Sequence, residues 1–217
     1  VIISGGNIKG KVYGGQAVNE VNNNSVIISG GTINGPVFGG WGWGYADVEG
    51  NSVIISGGTI TGDVYGGRGG TKAEGNKVIL VGENANYHLS AEQTLNGSGI
   101  NITGAVVGGH IFGSNSYNGT GNEIHVYGSD TKVGGIADFN NLNFYINDKM
   151  TYGDVMLEIT GVADTDISKS KVEVNVDGAP KAKDDLNTIT LIQKTGDGKI
   201  IKPDDEKIKV NFGSTLT

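Results

Sequence analysis

A glycine-rich segment that occurs three times is the feature that most constrains the fold of this chain. The copies are Val1–Gly15, Val26–Gly40 and Val53–Gly67, and each reads Val-Ile-Ile-Ser-Gly-Gly-x-Ile-x-Gly-x-Val-Tyr/Phe-Gly-Gly. Successive copies begin 25 and 27 residues apart. A period of this length is typical of a solenoid, in which each repeat forms one coil and buries its apolar side against its neighbours. The sequence therefore moves the search for function from a pocket to an extended surface.

Each repeat contains two short apolar segments that end at a glycine pair. Short segments rich in Val and Ile are typical of strands, and no segment has the sustained 3.6-residue period of an amphipathic helix. Because each strand recurs at the same place in the next copy, we predict parallel, in-register stacking, with Ile27 over Ile54 and Val37 over Val64. Glycine, at 39 of 217 residues, is expected to supply tight corners with positive φ.

An asparagine lies just before each new copy, at Asn24, Asn51 and Asn76. Asparagine at a corner tolerates the left-handed backbone conformation and can hydrogen-bond to neighbouring backbone groups. Stacked asparagine side chains can also hydrogen-bond to one another along a β-stack. We interpret these residues as structural and not as ligand-binding.

The fourth copy contains an insertion. Its first half is visible at Asn76–Leu80, and we place its second half at Ile102–Gly109, which leaves 17 additional residues within 83–99. Insertions in solenoids usually leave the stack on one face, and that face is often the binding face. A fifth copy begins at Asn122–Gly128.

The pattern changes after about Asn140, where glycine becomes rarer and charged residues more frequent. We divide the chain into glycine-rich repeats at 1–140 and a C-terminal region at 141–217 that caps the stack. Without a cap, the last coil would expose apolar surface and unpaired strand edges. The strands predicted in this region are Leu142–Ile146, Met156–Thr160, Lys171–Val176, Thr188–Gln193 and Ile208–Phe212.

Charge and composition argue against several partners. The net charge is −7 and Arg68 is the only arginine, whereas nucleic acids and anionic membrane surfaces recruit Lys and Arg. Cysteine is absent, so the chain has neither disulfides nor thiolate metal ligands. No segment approaches the ~18 apolar residues of a membrane-spanning helix. We expect no cofactor, no metal, no nucleic-acid partner and no direct membrane insertion of this segment.

The chain resembles the passenger domains of bacterial autotransporters, which use type V secretion. The repeats carry the resemblance, together with Leu142–Ile146, Gly153–Gly161 and Ala163–Ile167, which resemble the C-terminal end of such passengers. The resemblance implies a right-handed parallel β-helix displayed outside a Gram-negative outer membrane. It also implies that the C-terminal region is autochaperone-like and that an outer-membrane barrel follows beyond Thr217.

The histidines do not predict a metal site. His88, His110 and His125 lack the spacing of metal ligands. We place His110 in a loop and His125 in a strand-like segment, and we interpret each as a surface or loop residue.

Three carboxylate clusters lie in polar, turn-like parts of the C-terminal region, at Asp164/Asp166, Asp184/Asp185 and Asp204–Glu206. Paired carboxylates can hydrolyse glycosides or hold calcium, but we favour solvated turns. Neither a Gly-x-Ser-x-Gly motif nor a Ser-His-Asp set is found. We therefore do not expect an enzyme. The alternative is a carbohydrate-active β-helix enzyme, a polysaccharide lyase or hydrolase, which would need acids clustered in one cleft.

Both tryptophans lie in one segment between repeats, Trp41-Gly42-Trp43-Gly44-Tyr45, which we interpret as a loop. Trp and Tyr on a loop are typical anchors for sugar rings or protein partners. Alternatively, these rings fold back and cover the stack, or contact the 83–99 insertion. A second candidate loop runs from His110 to Tyr117, and we expect it on the same rim. The predicted ligand-binding residues are Trp41, Trp43, Tyr45, His110, Phe112 and Tyr117.

The sequence thus predicts a structural and interaction protein. We expect an extracellular adhesin on the bacterial cell surface, anchored to the outer membrane in the full-length protein. Its expected partner is a protein or glycan on a host or bacterial surface.

Overall fold

The computed structural model describes residues 1–87, 104–115 and 119–212. Within these ranges the fold is all-β, as predicted, and the only helical element is a 3-10 turn at Asp205–Lys207. The 21 strands, numbered in chain order, pair in parallel. No helix in the described part of the chain has the length and hydrophobicity needed to cross a membrane.

One family of strands contains the Val-Ile-Ile segments and their counterparts. Parallel pairs connect each member to the next along the whole stack. The members are β1 (Ile2–Ile8), β4 (Ser25–Ile33), β7 (Ser52–Ile60), β10 (Lys77–Val81), β13 (Glu123–Tyr127), β15 (Asn141–Asn147), β18 (Lys171–Asp177) and β21 (Ile208–Phe212).

A second family contains the segments that begin with Val-Tyr or Val-Phe. It joins the first family in one 15-stranded sheet, because β11 pairs with both β7 and β8. The members are β2 (Val12–Ala17), β5 (Val37–Gly42), β8 (Val64–Arg68), β11 (Val106–Ser114), β14 (Thr131–Ala137), β16 (Val155–Ile159) and β19 (Thr190–Lys194).

Shorter strands form two smaller sheets. Along the chain each of these strands lies between a strand of the second family and the next strand of the first family. The four-stranded sheet and the two-stranded sheet are again parallel. Their members are β3 (Glu20–Asn22), β6 (Asp47–Glu49), β9 (Lys72–Glu74) and β12 (Gly119–Thr120) in one, and β17 (Thr165–Asp166) and β20 (Ile200–Ile201) in the other.

The predicted register is confirmed. Ile27 pairs with Ile54 and Val37 pairs with Val64. In the first three coils the chain visits the three groups of strands in the same order and returns to each group one strand further along. This arrangement of parallel sheets is consistent with a β-helix-like fold.

The interior is a continuous stack of branched apolar side chains. Because side chains alternate along a strand, every second residue points inward and lies over its counterpart in the next coil. Burial of one such side chain contributes about 1.5–3 kcal/mol. In the second and third coils the two larger strand families contribute to this interior the fully buried side chains Val26, Ile28, Ile33, Val37, Val53, Ile55, Ile60 and Val64.

A ladder of asparagine side chains runs along one corner of the stack. We call it the Asn ladder, and it comprises Asn24, Asn51, Asn76 and Asn122. Each Nδ2 donates to the Oδ1 of the next member, at 3.0, 3.1 and 3.2 Å. Each Oδ1 after the first also accepts the backbone N–H of the preceding member. The structural interpretation of these residues is therefore confirmed.

Positive φ at these corners belongs to the residue before each ladder member. Asn23, Gly50 and Gly75 have φ of 57°, 63° and 58°, while the ladder asparagines have negative φ. The ladder residues therefore contribute side-chain hydrogen bonds and not left-handed geometry. Positive-φ glycine corners are confirmed at the Ser-Gly-Gly segments, where Gly31 and Gly58 have φ of 86° and 83°.

The second glycine of each Val-Tyr/Phe-Gly-Gly segment packs directly against the Asn ladder. A Cβ atom on Gly40 would lie 2.6 Å from the Asn51 amide carbon, and one on Gly67 would lie 2.5 Å from that of Asn76. The first glycine faces the next coil, since a Cβ on Gly39 would lie 2.4 Å from the Gly66 carbonyl oxygen. The glycine pair is thus required by close approach of coil to coil.

The second half of the fourth copy lies five residues further along the chain than predicted. Ile111 pairs with Val64 and Phe112 with Tyr65, so the placement at Ile102–Gly109 was wrong. The Val-Val-Gly-Gly segment imitates the repeat, but Phe112 is the residue that continues the stack of rings on Tyr65. Most of the predicted 83–99 insertion lies outside the described residues.

The five strands predicted after Asn140 are confirmed as β15, β16, β18, β19 and β21, and no end is shifted by more than two residues. The first strand family continues across residue 140 without interruption, from β13 to β15 and β18. On β21 the side chains of Ile208, Val210 and Phe212 are 44%, 49% and 66% exposed. Closure of this end by residues 141–217 stays a prediction.

We expect Gly40→Ala to lower the free energy of unfolding by about 2–4 kcal/mol, because the new Cβ would break the Asn51 hydrogen bonds or separate the strands. The matched control is Gly10→Ala, where a Cβ would meet nothing within 4 Å and φ is not positive. That control should change stability by less than about 1 kcal/mol. Urea denaturation followed by circular dichroism measures both, and equal losses would contradict the role of the Gly–Asn contact.

Candidate functional site

A stack of aromatic rings runs along the outside of the second strand family. We call it the aromatic ladder, and it comprises Tyr13, Phe38, Tyr65 and Phe112. Neighbouring ring centroids lie 5.2, 4.9 and 4.9 Å apart, with interplanar angles of 11°, 9° and 8°. Val37 is an interior residue, so the alternation of the strand directs Phe38 outward. Each stacked pair contributes about 0.5–1.5 kcal/mol beyond burial.

Trp41 lies in strand β5 and covers part of the aromatic ladder. Its ring centroid is 5.1 Å from that of Tyr13 and 4.9 Å from that of Phe38. The loop prediction was wrong for Trp41, because the glycine pair does not end the strand and the chain stays paired with Arg68 of the next coil. The alternative that this ring folds back onto the stack therefore describes Trp41.

Trp43 and Tyr45 lie in the turn after β5 and are exposed. The Trp43 ring is 50% exposed and stacks on Trp41, with a centroid distance of 5.1 Å and an interplanar angle of 24°. Tyr45 is 88% exposed. The turn is attached to both neighbouring coils, because Trp43 N–H donates to the Ala17 carbonyl (3.0 Å) and Thr71 Oγ1 donates to the Tyr45 carbonyl (2.8 Å). Binding through these rings would therefore require little ordering of the backbone.

Two cations flank Trp41. Lys11 Nζ lies 4.9 Å from the Trp41 ring centroid, and Arg68 Cζ lies 5.5 Å from it. Arg68 also lies 5.4 Å from the Tyr65 ring. We call Trp41, Trp43, Lys11 and Arg68 the Trp platform. Contacts between such cations and ring faces contribute about 0.5–2 kcal/mol each.

Sequence reasoning missed Lys11 and Arg68 as site residues. A signal for Arg68 was available, since it directly follows the Gly-Gly pair of its copy, as Trp41 does in the preceding copy. In-register stacking then makes them neighbours.

Phe112 and His110 lie in strand β11, so the loop prediction for both was wrong. Phe112 ends the aromatic ladder and therefore shares a side of the stack with Trp41. The His110 backbone N–H donates to Asp63 Oδ1 at 2.9 Å, and the His110 ring centroid lies 6.0 Å from that of Phe112. His110 also lines a groove that no residue of the aromatic ladder borders. Tyr117 and His88 lie outside the described residues.

Asp63 connects these elements through hydrogen bonds. Burial and the neighbouring Asp63 carboxylate raise the pKa of Tyr65 above its usual value. The Tyr65 hydroxyl therefore stays protonated near neutral pH and donates to Asp63 Oδ2 at 3.2 Å. With Oδ1 accepting from His110 N–H, both oxygens of Asp63 have a donor.

A groove of about 390 Å³ beside His110 contains three aspartates: Asp138, Asp164 and Asp166. Two of them cap backbone groups, since Asp164 Oδ1 accepts Lys199 N–H and Asp166 Oδ1 accepts Ser168 N–H, both at 2.9 Å. These bonds support the turn interpretation of the Asp164/Asp166 cluster. No group of three or more acidic or histidine side chains in the described ranges is placed to hold a metal ion.

His125 lies in β13 and is held between Glu123 and Tyr145. Its Nε2 lies 2.8 Å from Glu123 Oε2, and its Nδ1 lies 3.0 Å from the Tyr145 hydroxyl. Burial lowers the pKa of His125 and outweighs the Glu123 hydrogen bond, which acts in the opposite direction. A neutral ring satisfies both contacts, with Nε2–H donating to Glu123 and Nδ1 accepting from Tyr145. The strand placement is confirmed, but the side chain is only 15% exposed and is not a free surface residue.

Comparisons of the chain with protein-family profiles, with curated proteins and with solved structures find no match.

We expect the two tryptophans to differ in stability and spectroscopy. Trp41→Ala should lower the free energy of unfolding by about 2–3 kcal/mol, because Trp41 packs on two rings of the aromatic ladder. Trp43→Ala should cost less than about 1 kcal/mol, because Trp43 is exposed. Since the chain has 2 tryptophans, Trp41→Phe and Trp43→Phe each leave one reporter. Acrylamide should quench Trp43 more strongly than Trp41, and the reverse order would contradict the packing of Trp41.

The lowered pKa of His125 makes stability depend on pH. Its contribution is present above the unfolded-state pKa of about 6.5 and is lost as pH falls through the lower folded-state pKa. The free energy of unfolding should therefore fall more between pH 8 and pH 5.5 in the natural chain than in His125→Gln. Urea titrations at both pH values measure the difference. Titration of the imidazole by NMR tests the cause, since a folded-state pKa at or above 6.5 would contradict it.

Proposed function

We propose that this chain is a passenger segment of a bacterial autotransporter and acts as an adhesin on the outside of the cell. The observation that carries the proposal is the Trp platform with Tyr45 beside it. Exposed aromatic rings on a turn attached to two coils, backed by a rigid stack of strands, suit recognition of a surface partner. Large rigid rings of this kind dominate many binding interfaces.

The proposed architecture is a right-handed parallel β-helix. Repeats of 25–27 residues, in-register parallel pairing and the Asn ladder support it. The hand follows from the resemblance to autotransporter passengers and from the strong right-handed preference of parallel crossover connections. In the proposal the stack is a scaffold that holds the Trp platform away from the cell, and an outer-membrane barrel elsewhere in the full-length protein anchors it.

Binding explains the Trp platform better than catalysis does. The rings and cations of the platform include no carboxylate and no nucleophile, and each oxygen of the nearby Asp63 carboxylate already accepts a hydrogen bond, from Tyr65 or from His110. The proposed partner is a glycan or protein on a host or bacterial surface, and we propose no enzymatic activity for this chain.

A second candidate is a carbohydrate-active enzyme, which the groove beside His110 favours. Asp138, Asp164 and Asp166 line this groove together with Lys169. The backbone hydrogen bonds of Asp164 and Asp166 argue for turns, so we rank this candidate below the adhesin. Release of reducing sugar from a panel of polysaccharides, with loss in Asp138→Asn, would replace the adhesin proposal with the enzyme.

The adhesin proposal predicts that the purified chain, coated on beads, adheres to host or bacterial cells. The double variant Trp43→Ala/Tyr45→Ala should reduce bead adhesion at least about 10-fold, because hot-spot rings typically contribute 2 kcal/mol or more each. The matched control is Phe212→Ala, which removes a 66% exposed ring from the last strand. Circular dichroism checks that all chains fold. Equal adhesion of the double variant and the natural chain would reject the site.

A further inference from the structure

Arg68 forms no ion pair with an acidic side chain in the described part of the chain. Five lysine side chains there form ion pairs, and Arg68 and Lys11 are among the cations that form none. The nearby carboxylate of Asp63 is engaged by Tyr65 and His110. In a chain of net charge −7, two cations without an ion-pair partner lie at one tryptophan ring and make this part of the surface locally more positive.

The aromatic rings hold the Arg68 guanidinium in place. Its Cζ lies 5.4, 5.5 and 6.0 Å from the ring centroids of Tyr65, Trp41 and Phe38. No hydrogen bond from the guanidinium to a described residue is formed, so its N–H groups are available to a ligand. A planar guanidinium offers paired N–H donors that match the geometry of a carboxylate or another oxyanion.

Trp43 supplies an apolar surface next to this charge. One side of its ring stacks on Trp41, and the ring is still 50% exposed. No more than about 11 Å separates the Trp43 centroid from Arg68 Cζ, since both contact Trp41. A single glycan chain can bridge any separation up to that limit, with the C–H face of one sugar on Trp43 and an anionic group of the same or the next sugar on Arg68.

The small size of the exposed patch favours a glycan over a protein. A stable protein interface buries at least about 1,000 Å². The exposed apolar side chains here are Trp43, Tyr45 and Val18, and the neighbouring Gln16 and Gly44 are exposed without offering apolar surface. Two rings and two cations match a short stretch of an extended acidic polymer.

We infer that the Trp platform binds a polysaccharide whose sugars carry anionic groups. Trp43 stacks on a sugar ring, Arg68 pairs with a carboxylate or sulfate of the same chain, and Lys11 adds positive potential. This inference rests on the proposed adhesive function and names the class of its ligand. The net charge of the whole chain, −7, would instead predict that acidic ligands are repelled.

The test is binding of the purified chain to polygalacturonate, dextran sulfate and neutral dextran by biolayer interferometry. We expect at least one anionic polymer to bind, dextran not to bind, and affinity to fall as salt rises because the Arg68 and Lys11 charges are screened. The two anionic probes distinguish a carboxylate ligand from a sulfate ligand. Equal binding of dextran, or no binding of either anionic polymer, would overturn the inference.

Variants locate the site. Arg68→Gln and Trp43→Ala should each weaken binding at least about 10-fold, since the first removes the charged, paired donors and the second removes the stacking surface. Arg68→Lys should give an intermediate loss, because it keeps the charge and loses the paired donors. The matched control is Lys132→Gln, which removes a cation paired with Glu158 elsewhere on the stack. Unchanged binding by folded Arg68→Gln would also overturn the inference.

The bead assay separates this inference from the function on which it rests. If adhesion depends on Trp43 and no anionic polymer binds, the adhesin stands and the acidic ligand is wrong. If adhesion is absent or independent of Trp43, the adhesin proposal itself fails.

Discussion

Contact between a glycine and a buried asparagine amide sets the geometry on which the rest of this structure depends. Asn51 and Asn76 are fully buried, and each amide is in hydrogen-bond contact with the coils on both sides. A buried amide without partners would cost about 1–3 kcal/mol for each lost bond, so the ladder specifies the register as well as the spacing of the coils. The glycines at positions 40 and 67 leave room for it, which explains why Gly-Gly recurs at the same place in each copy.

The aromatic ladder and the Trp platform follow from that register. Once Val37 points inward, Phe38 must point outward, and the residue after the glycine pair lies beside it. Identical stacking in the neighbouring coils brings Trp41 next to Arg68 without any contact that is local in sequence. In a stack of repeats, equivalent outward positions of successive coils lie next to one another. Rings and cations at these positions are therefore gathered on one side of the stack. The same rule makes the outer surface the place where single substitutions change function at little cost to the core.

Two positions depart from the repeat pattern, and each has different contacts from its counterparts in the other coils. His125 occupies an outward position that Ile54 and Ile79 fill in the preceding coils, and it compensates for the loss of apolar packing with bonds to Glu123 and Tyr145. The fourth coil shows the opposite case, in which a segment that imitates the repeat, Val106 to Gly109, does not take its place. Phe112 takes that place because its ring extends the aromatic ladder.

The sequence by itself determined the all-β class, the parallel register of the first three copies, the structural role of the Asn ladder and the later strands. These properties follow from periodicity, because identical residues stacked on one another bury best and satisfy the same hydrogen bonds in each coil. Only the tertiary structure decided that Trp41 belongs to a strand, that Arg68 joins it and that His125 is held between partners. The Trp41–Arg68 and His125–Tyr145 contacts join residues 20 or more positions apart, and the strand at Trp41 depends on whether a glycine pair ends a strand or continues it. The residues on either side of one glycine pair do not determine whether the strand continues past it. The strand continues where the backbone carbonyl and amide groups of the neighbouring coil pair with it.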